Sequence, residues 1–177
     1  MKKNPIYLWV LLVLSALISS MSLFGILSPL PSKDVLRASL ANSGTLTAQQ
    51  LEDTVNYTYK VSESSHSIFN MLLIILSAIL VVVAFVFLVR KNVQFANYAY
   101  IGYVLLAIVG LVYSYMNVQD AVQLIKDSTL GLGMGTLAKG TVILFMIINV
   151  LFLALVLYKM WRQQKDLAEE VEAEEVA

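Results

Sequence analysis

Four stretches of this chain, 6–27, 68–89, 98–116 and 142–158, contain no Asp, Glu, Lys, Arg or His. At about 1.5 Å of rise per residue, each makes a helix of roughly 26 to 33 Å, enough to cross the hydrocarbon core of a bilayer. Lipid offers no partner to backbone amides and carbonyls, so such runs satisfy themselves as helices. The sequence therefore predicts an all-α membrane protein, a four-transmembrane-helix bundle. The same runs limit chemistry, because the lipid-embedded part holds no ionisable side chain for proton transfer, metal binding or covalent catalysis.

Composition agrees: 59 % of residues are hydrophobic and 14 % charged, against about 45–50 % and about 25 % in soluble domains. The 177 residues leave no room for a separate soluble domain. We expect one transmembrane domain over 1–161, with outer loops at 28–67 and 117–140, and a tail over 162–177. A net charge of zero argues against nucleic acid as a partner. Without cysteine there are no disulfides, Cys-based zinc sites or thiol nucleophiles.

Lys2 and Lys3 ahead of the first run resemble the start of a signal peptide. The uncharged segment from Asn4 to Ser32 is longer than a signal's apolar core of roughly 7–15 residues, and no Ala-x-Ala site follows. The run is expected to stay as a span. Orientation follows from the basic residues near span ends. Lys2, Lys3, Arg90, Lys91, Lys159, Arg162 and Lys165 gather on one side, seven of the twelve. Lys33, Arg37, Lys60, Lys126 and Lys139 are diluted over the two longer loops among several carboxylates. Both termini are accordingly expected in the cytoplasm, with 28–67 and 117–140 extracellular, in a multi-pass protein of the cell membrane.

Tyr7, Trp9, Tyr158 and Trp161 mark one membrane boundary, since such rings prefer the headgroup level. In the third span, Tyr98, Tyr100 and Tyr103 at one end and Tyr113 and Tyr115 at the other read as two belts. A ligand-binding aromatic box is the alternative.

Pro29 and Pro31 end the first helix. Ser32 can cap a short extracellular helix carrying Val35, Leu36, Ser39 and Leu40 and ending near Gly44. Thr47 and Gln50 form a capping-box pair, with Leu46 and Leu51 as a staple, for a second helix presenting Leu51, Val55 and Tyr59. These helices either shield the bundle or offer a receptor surface. Asn56-Tyr57-Thr58 matches the glycan acceptor pattern, relevant only to a eukaryotic secretory route. In the second loop, Val118, Ala121, Val122 and Ile125 read as an interfacial helix. The run Gly131 to Gly135 reads as a hinge or re-entrant turn: despite nearby Lys139, Gly140 and Thr141, it lacks the phosphate-loop order.

Within lipid, helices meet through small or weakly polar residues. Ser15, Ser19 and Ser22, with Ala16 and Ser20 beside them, mark the first span. Asn70, Ser77 and Ala84 mark the second. Ala107, Gly110 and Ser114 mark the packing face of the third. Counting depth inward gathers Ser15, Ser19, Ser77 and Asn149 into one polar layer, level with Ala107. An amide unpaired in hydrocarbon costs several kcal/mol. Asn149 is therefore expected to bond Ser15, Ser19 or Ser77 for about 1 kcal/mol, with ligand coordination as the alternative. His66, the one histidine, lacks companion metal ligands and reads as a solvated helix-start residue. No metal or cofactor is expected. The tail passes from Lys159, Arg162 and Lys165 to Asp166, Glu169, Glu170, Glu172, Glu174 and Glu175. It reads as solvated, with a basic cytosolic partner as the alternative, and Leu167 and Val171 allow a helical extension.

Catalysis is disfavoured, because G-x-S-x-G, H-E-x-x-H and paired membrane carboxylates are all missing. Ion-coupled transport normally uses intramembrane charges. What remains is a non-catalytic accessory or permease-like subunit, or an organiser of a membrane complex, with other membrane subunits or copies of itself as partners. A homo-oligomeric pore or small transporter lined by Ser15, Ser19 and Asn149 is the alternative. Tetraspanins and claudins share the plan, but their loop cysteines are absent. With its Lys2-Lys3-Asn4-Pro5 head and Lys/Glu tail, the chain resembles small uncharacterised four-span membrane proteins of Gram-positive bacteria, some labelled ABC transporter permeases. That resemblance implies a membrane location and assigns no residue a role.

Overall fold

The computed structural model describes residues 5–42 and 46–175, apart from the side chains of Leu167 and of 169–175. The Lys2-Lys3-Asn4 head, the expected helix end at Gly44 and the tail carboxylates from Glu169 onward lie outside this description. Among the described residues there are six helices: α1 (Ile6–Leu27), α2 (Lys33–Ala41), α3 (Ala48–Ser65), α4 (Ile68–Val89), α5 (Val93–Val122) and α6 (Ser128–Glu175). Of these, α1, α4, α5 and α6 are long and apolar enough to cross a membrane.

The starts of the helices follow local chemistry. Ser32 Oγ accepts from the Val35 amide. Thr47 and Gln50 close a reciprocal capping box. Ser67 Oγ caps α4 through the Asn70 amide, and Asn92 Oδ1 caps α5 through Phe95. Each cap satisfies an amide that the first helical turn leaves without a partner. Between α4 and α5 the chain reverses at Lys91, whose φ of 61° places it in the left-handed region.

Both helices of the second long connection outrun the expected spans. The stripe Val118, Ala121 and Val122 is the end of α5, not a separate interfacial helix. The glycine run is likewise the first turns of α6, not a hinge. Asp127 supplies the reason on one side: its Oδ1 accepts from the Leu130 amide at 2.9 Å and caps the helix. Packing supplies the other. Gly131 and Gly135, one turn apart, lie against Ile125 and Val122, and a Cβ on Gly135 would sit 3.2 Å from Val122 Cγ1. The missing side chains let α6 return directly beside α5.

Neighbouring spans pack as α1 on α4, α4 on α5 and α5 on α6. The α1–α6 seam is the side of this ring without comparable packing among the described residues. In the half of the bundle nearer the termini, Leu8, Leu12, Ala84, Tyr100, Val104 and Val156 are fully buried in one apolar cluster. Tyr100 and Tyr103 belong to it, their ring centroids 5.7 Å apart. These two tyrosines are therefore core residues and not part of a belt. Tyr98, Trp9, Tyr158 and Trp161 are exposed.

The opposite end carries α2 and α3. Arg37 joins the pair by a two-pronged contact with Glu52, at 2.6 and 3.0 Å. Helix α3 lies across the α5–α6 turn, where Tyr57 packs with Ala121 and Ile125. Asn56 sits within α3 and accepts from Lys33 Nζ at 2.8 Å.

Candidate functional site

The bundle is solid in its terminal half and hollow in the other. Between α1, α4, α5 and α6 lies a cavity of about 490 Å³ that starts beside Tyr103 and Phe152 and extends toward the α2–α3 end. This is far larger than the voids of a close-packed interior, and it falls within the usual range for small-molecule sites.

Helical spacing explains its lining. Ser15, Ser19 and Ser22 recur every three to four residues and so share one face of α1, while Asn70 and Ser77 stand two turns apart on α4. With Asn149 from α6 and the hydroxyl of Tyr103 from α5, these supply the polar part of the wall. Leu, Ile and Phe side chains such as Leu73, Ile148 and Phe152 supply most of the rest. No charged side chain is among the lining residues.

The expected polar layer is thus brought around one space, but its members do not bond to one another as anticipated. Asn149 Nδ2 donates to the Phe145 carbonyl of its own helix at 2.8 Å, and not to Ser15, Ser19 or Ser77. The four-residue spacing along a helix offers that carbonyl without any partner helix, so the amide is half satisfied locally. Ser15 instead shares a hydrogen bond of 3.3 Å with the Tyr100 hydroxyl. Ser22 donates to Ile18 O, and Asn70 donates to Ser65 O. Ser19 and Ser77, 8 % and 9 % exposed, have no hydrogen-bond partner among the described residues.

The small residues of α5 act differently from the close-approach face expected of them. Ala107 and Gly110 line the cavity, and a Cβ on Gly110 would only touch Leu73, at 3.9 Å. They leave room where bulkier residues would fill it. Ser114 lies nearer the α2–α3 end, in a separate recess of about 80 Å³ shared with Asn70 and Asn117. A tighter approach is made at Gly102, where a Cβ would lie 3.3 Å from Leu80.

The cavity has a side opening. Ile18 on α1 and Phe145 on α6 line it yet are 44 % and 42 % exposed, which puts the opening at the weakly packed α1–α6 seam. Beyond the cavity toward the termini, the seam closes: Lys159 of α6 lies 6.0 Å over the Tyr7 ring, and Leu8 and Val156 share the core.

Three polar features were not legible as sites in the sequence. Asn97 is 0 % exposed; its Oδ1 accepts from the Tyr7 hydroxyl at 3.0 Å, while its Nδ2 is buried without a partner among the described residues. Its position one and two turns before Tyr100 and Val104, on the same face, is the available signal. Asp53, 2 % exposed, accepts at Oδ2 from the amides of Lys126 and Asp127 at 2.9 and 3.1 Å, and at Oδ1 from Gln49. Burial pushes its carboxyl upward, but these bonds and the Lys126 charge outweigh burial and hold it below its ordinary value. Asp127 is held low chiefly by the Leu130 amide, with Gln50 adding a second bond.

His66 is the third. It ends α3 instead of standing free at the start of α4. Its Nδ1 lies 2.8 Å from Ser62 O, and its Nε2 lies 2.8 Å from Ser28 O. Two carbonyls favour the doubly protonated ring, Ser62 most and then Ser28, so the pKa is raised against a smaller effect of burial. Among the described residues no three His, Asp or Glu side chains lie close enough to share a metal ion.

Residues 1–169 match the family described as a domain of unknown function, DUF8777, and the chain belongs to that family. Comparison with curated proteins and with solved structures finds no match.

Proposed function

We propose that this member of the DUF8777 family is a non-catalytic multi-pass protein of the cell membrane, acting as an accessory or permease-like subunit that holds other components in the plane of the bilayer. Both termini lie in the cytoplasm in this reading, and α2 and α3 lie outside. The observation that carries it is the asymmetry of the bundle: an uncharged cavity in one half, backed by a fully buried apolar cluster in the other. A single chain built this way has a recess but no continuous polar route from one surface to the other. It also has no intramembrane charge to couple transport to an ion gradient.

The pore is the second reading, favoured by the fact that Ser15, Ser19 and Asn149 all face one space. That space lies inside each chain, so a conducting path between copies needs these faces turned outward. Liposomes reconstituted with the protein and loaded with a potassium gradient separate the two. The subunit reading expects the gradient to persist, and expects gentle extraction from native membranes to yield a complex of fixed stoichiometry with a second membrane protein. A reproducible leak that Asn149→Leu abolishes establishes the pore instead. The absence of cysteine makes topology directly testable with a membrane-impermeant maleimide on intact cells. Asp120→Cys is expected to label and Gln164→Cys is not; the opposite pattern inverts the orientation.

A further inference from the structure

We infer that the cavity between α1, α4, α5 and α6 is a binding site for an uncharged amphiphile: a membrane-dissolved molecule with a long apolar body and hydroxyl or ester oxygens, but no phosphate, carboxylate or amine. This rests on the chain being membrane-embedded and not on its being a subunit of a complex.

The hydrogen-bond inventory of the wall selects that chemistry. A serine hydroxyl can donate once and accept twice, and a side-chain amide has both a carbonyl and an NH2 group. Ser22, Asn70 and Asn149 each spend a donor on a backbone carbonyl, so the two amides keep their carbonyl oxygens as acceptors. Ser19 and Ser77 have spent nothing: more than nine-tenths buried, they line the cavity with no partner among the described residues. Tyr103, which also lines the cavity, has no hydrogen-bond partner among the described residues either. The site therefore offers three hydroxyls able to donate to an ester or hydroxyl oxygen, two of them from serines, and two amide oxygens able to accept from a hydroxyl.

Nothing in the wall would compensate a charge. An anion or ammonium brought into this low-dielectric space would lose its hydration with no counter-ion among the lining residues, which excludes charged headgroups. The apolar majority of the wall suits acyl or alkyl chain, and the volume of about 490 Å³ matches a ligand of modest size or one chain of a larger lipid.

Access fits the same class. The opening at Ile18 and Phe145 lies on the α1–α6 seam, part-way along two membrane-crossing helices, so a ligand enters from the bilayer and not from water. The Tyr7–Lys159 contact and the buried cluster close the terminal side, so the bound molecule stops at mid-depth.

The test uses the full-length protein in phosphatidylcholine nanodiscs containing a photoreactive diacylglycerol or a photoreactive long-chain alcohol, with photoreactive phosphatidic acid as the charged comparison. Labelled peptides are mapped by mass spectrometry. The expected result is labelling by one or both neutral probes at residues around the cavity, such as Ile18, Ile74 and Ile148, which excess of the same unlabelled lipid suppresses. Which neutral probe is held distinguishes an acylglycerol from a simple alcohol. The double variant Ser19→Ala/Ser77→Ala keeps the cavity but removes its two free serine hydroxyls, and should lower labelling by about tenfold, as expected for the loss of one or two neutral hydrogen bonds. Ala107→Phe fills the space and should abolish it. Unchanged melting temperature and elution volume show that each variant is folded.

Labelling that is equal with phosphatidic acid, unaffected in the double variant, or confined to outward residues such as Leu17 and Met21 overturns the assignment. So does a cavity left unlabelled while a photocrosslinker placed at Ile18 captures a second polypeptide, which gives the seam to a partner helix. A tight proteoliposome with an unlabelled cavity overturns this inference alone, whereas a leaky one with a labelled cavity overturns only the subunit reading.

Discussion

His66 sits where three parts of the chain converge: the end of α3, the start of α4 and, through Ser28 O, the end of α1. Because its folded pKa is raised above 6.5, the stabilisation it provides is complete below pH 6.5 and is lost as pH rises through the folded value. Thermal unfolding in detergent should therefore show a melting temperature a few degrees lower at pH 8.5 than at pH 6, and His66→Gln should flatten that dependence. An equal slope in the variant sinks the idea. Asp53 titrates in a separate window. Its folded pKa is depressed below 3.8, so its contribution is present above 3.8 and is lost as pH falls through the lower folded value. Asp53→Ala leaves two backbone amides of the α5–α6 turn without their acceptor. It should lower the melting temperature by several degrees at neutral pH, and Asp53→Asn, which keeps one oxygen for those amides, should lower it less. Neither role was legible beforehand. A lone histidine and a carboxylate in a polar loop carry no periodic signal, and their partners are backbone groups up to 74 residues away.

At the scale of elements, the parts written in local chemistry were readable and the parts set by a neighbour were not. The Ser32 and Thr47 caps, the capping box and the starts of α2 and α3 depend on residues within four positions of one another, which is why spacing alone located them. Glycine is a poor helix former in isolation, so Gly131 to Gly135 read as a break. Its helicity comes from close packing on α5, where a Cβ at position 135 would crowd Val122 at 3.2 Å, and from the Asp127 cap. This separates the glycines experimentally. Gly133 and Gly140 face open space, so Gly133→Ala and Gly140→Ala should be neutral or raise stability by about 0.5–1 kcal/mol, the helix-propensity gain. Gly135→Val meets Val122 at 3.2 Å and should destabilise, by roughly 1–3 kcal/mol as overpacking does. Urea or SDS unfolding monitored by Trp fluorescence ranks them. An identical effect at positions 133 and 135 would show that α5 does not shape the start of α6.

For the molecule as a whole, uncharged run lengths were enough to place the four long helices. Depth counting brought Ser15, Ser19, Ser77, Ala107 and Asn149 to one level, because position along a span translates directly into height. Neither reading distinguishes a bonded polar layer from a polar cavity, since that depends on how far the helices stand apart. The difference has a mechanical consequence. Leu12 is fully buried in the terminal cluster, so Leu12→Ala opens a closed void and should cost about 2–5 kcal/mol. Leu111 borders the cavity and is only partly buried, so Leu111→Ala enlarges a space that is already open and should cost well under half as much. The added void does not strip packing partners from all sides. Ala107→Leu carries the argument in the other direction: by occupying space next to the polar wall it should hold or raise stability while reducing uptake of a neutral lipid. Steric trapping or SDS-induced unfolding measures all three. Equal losses for Leu12→Ala and Leu111→Ala would mean that the two halves are packed alike, and that the hollow half closes in the membrane.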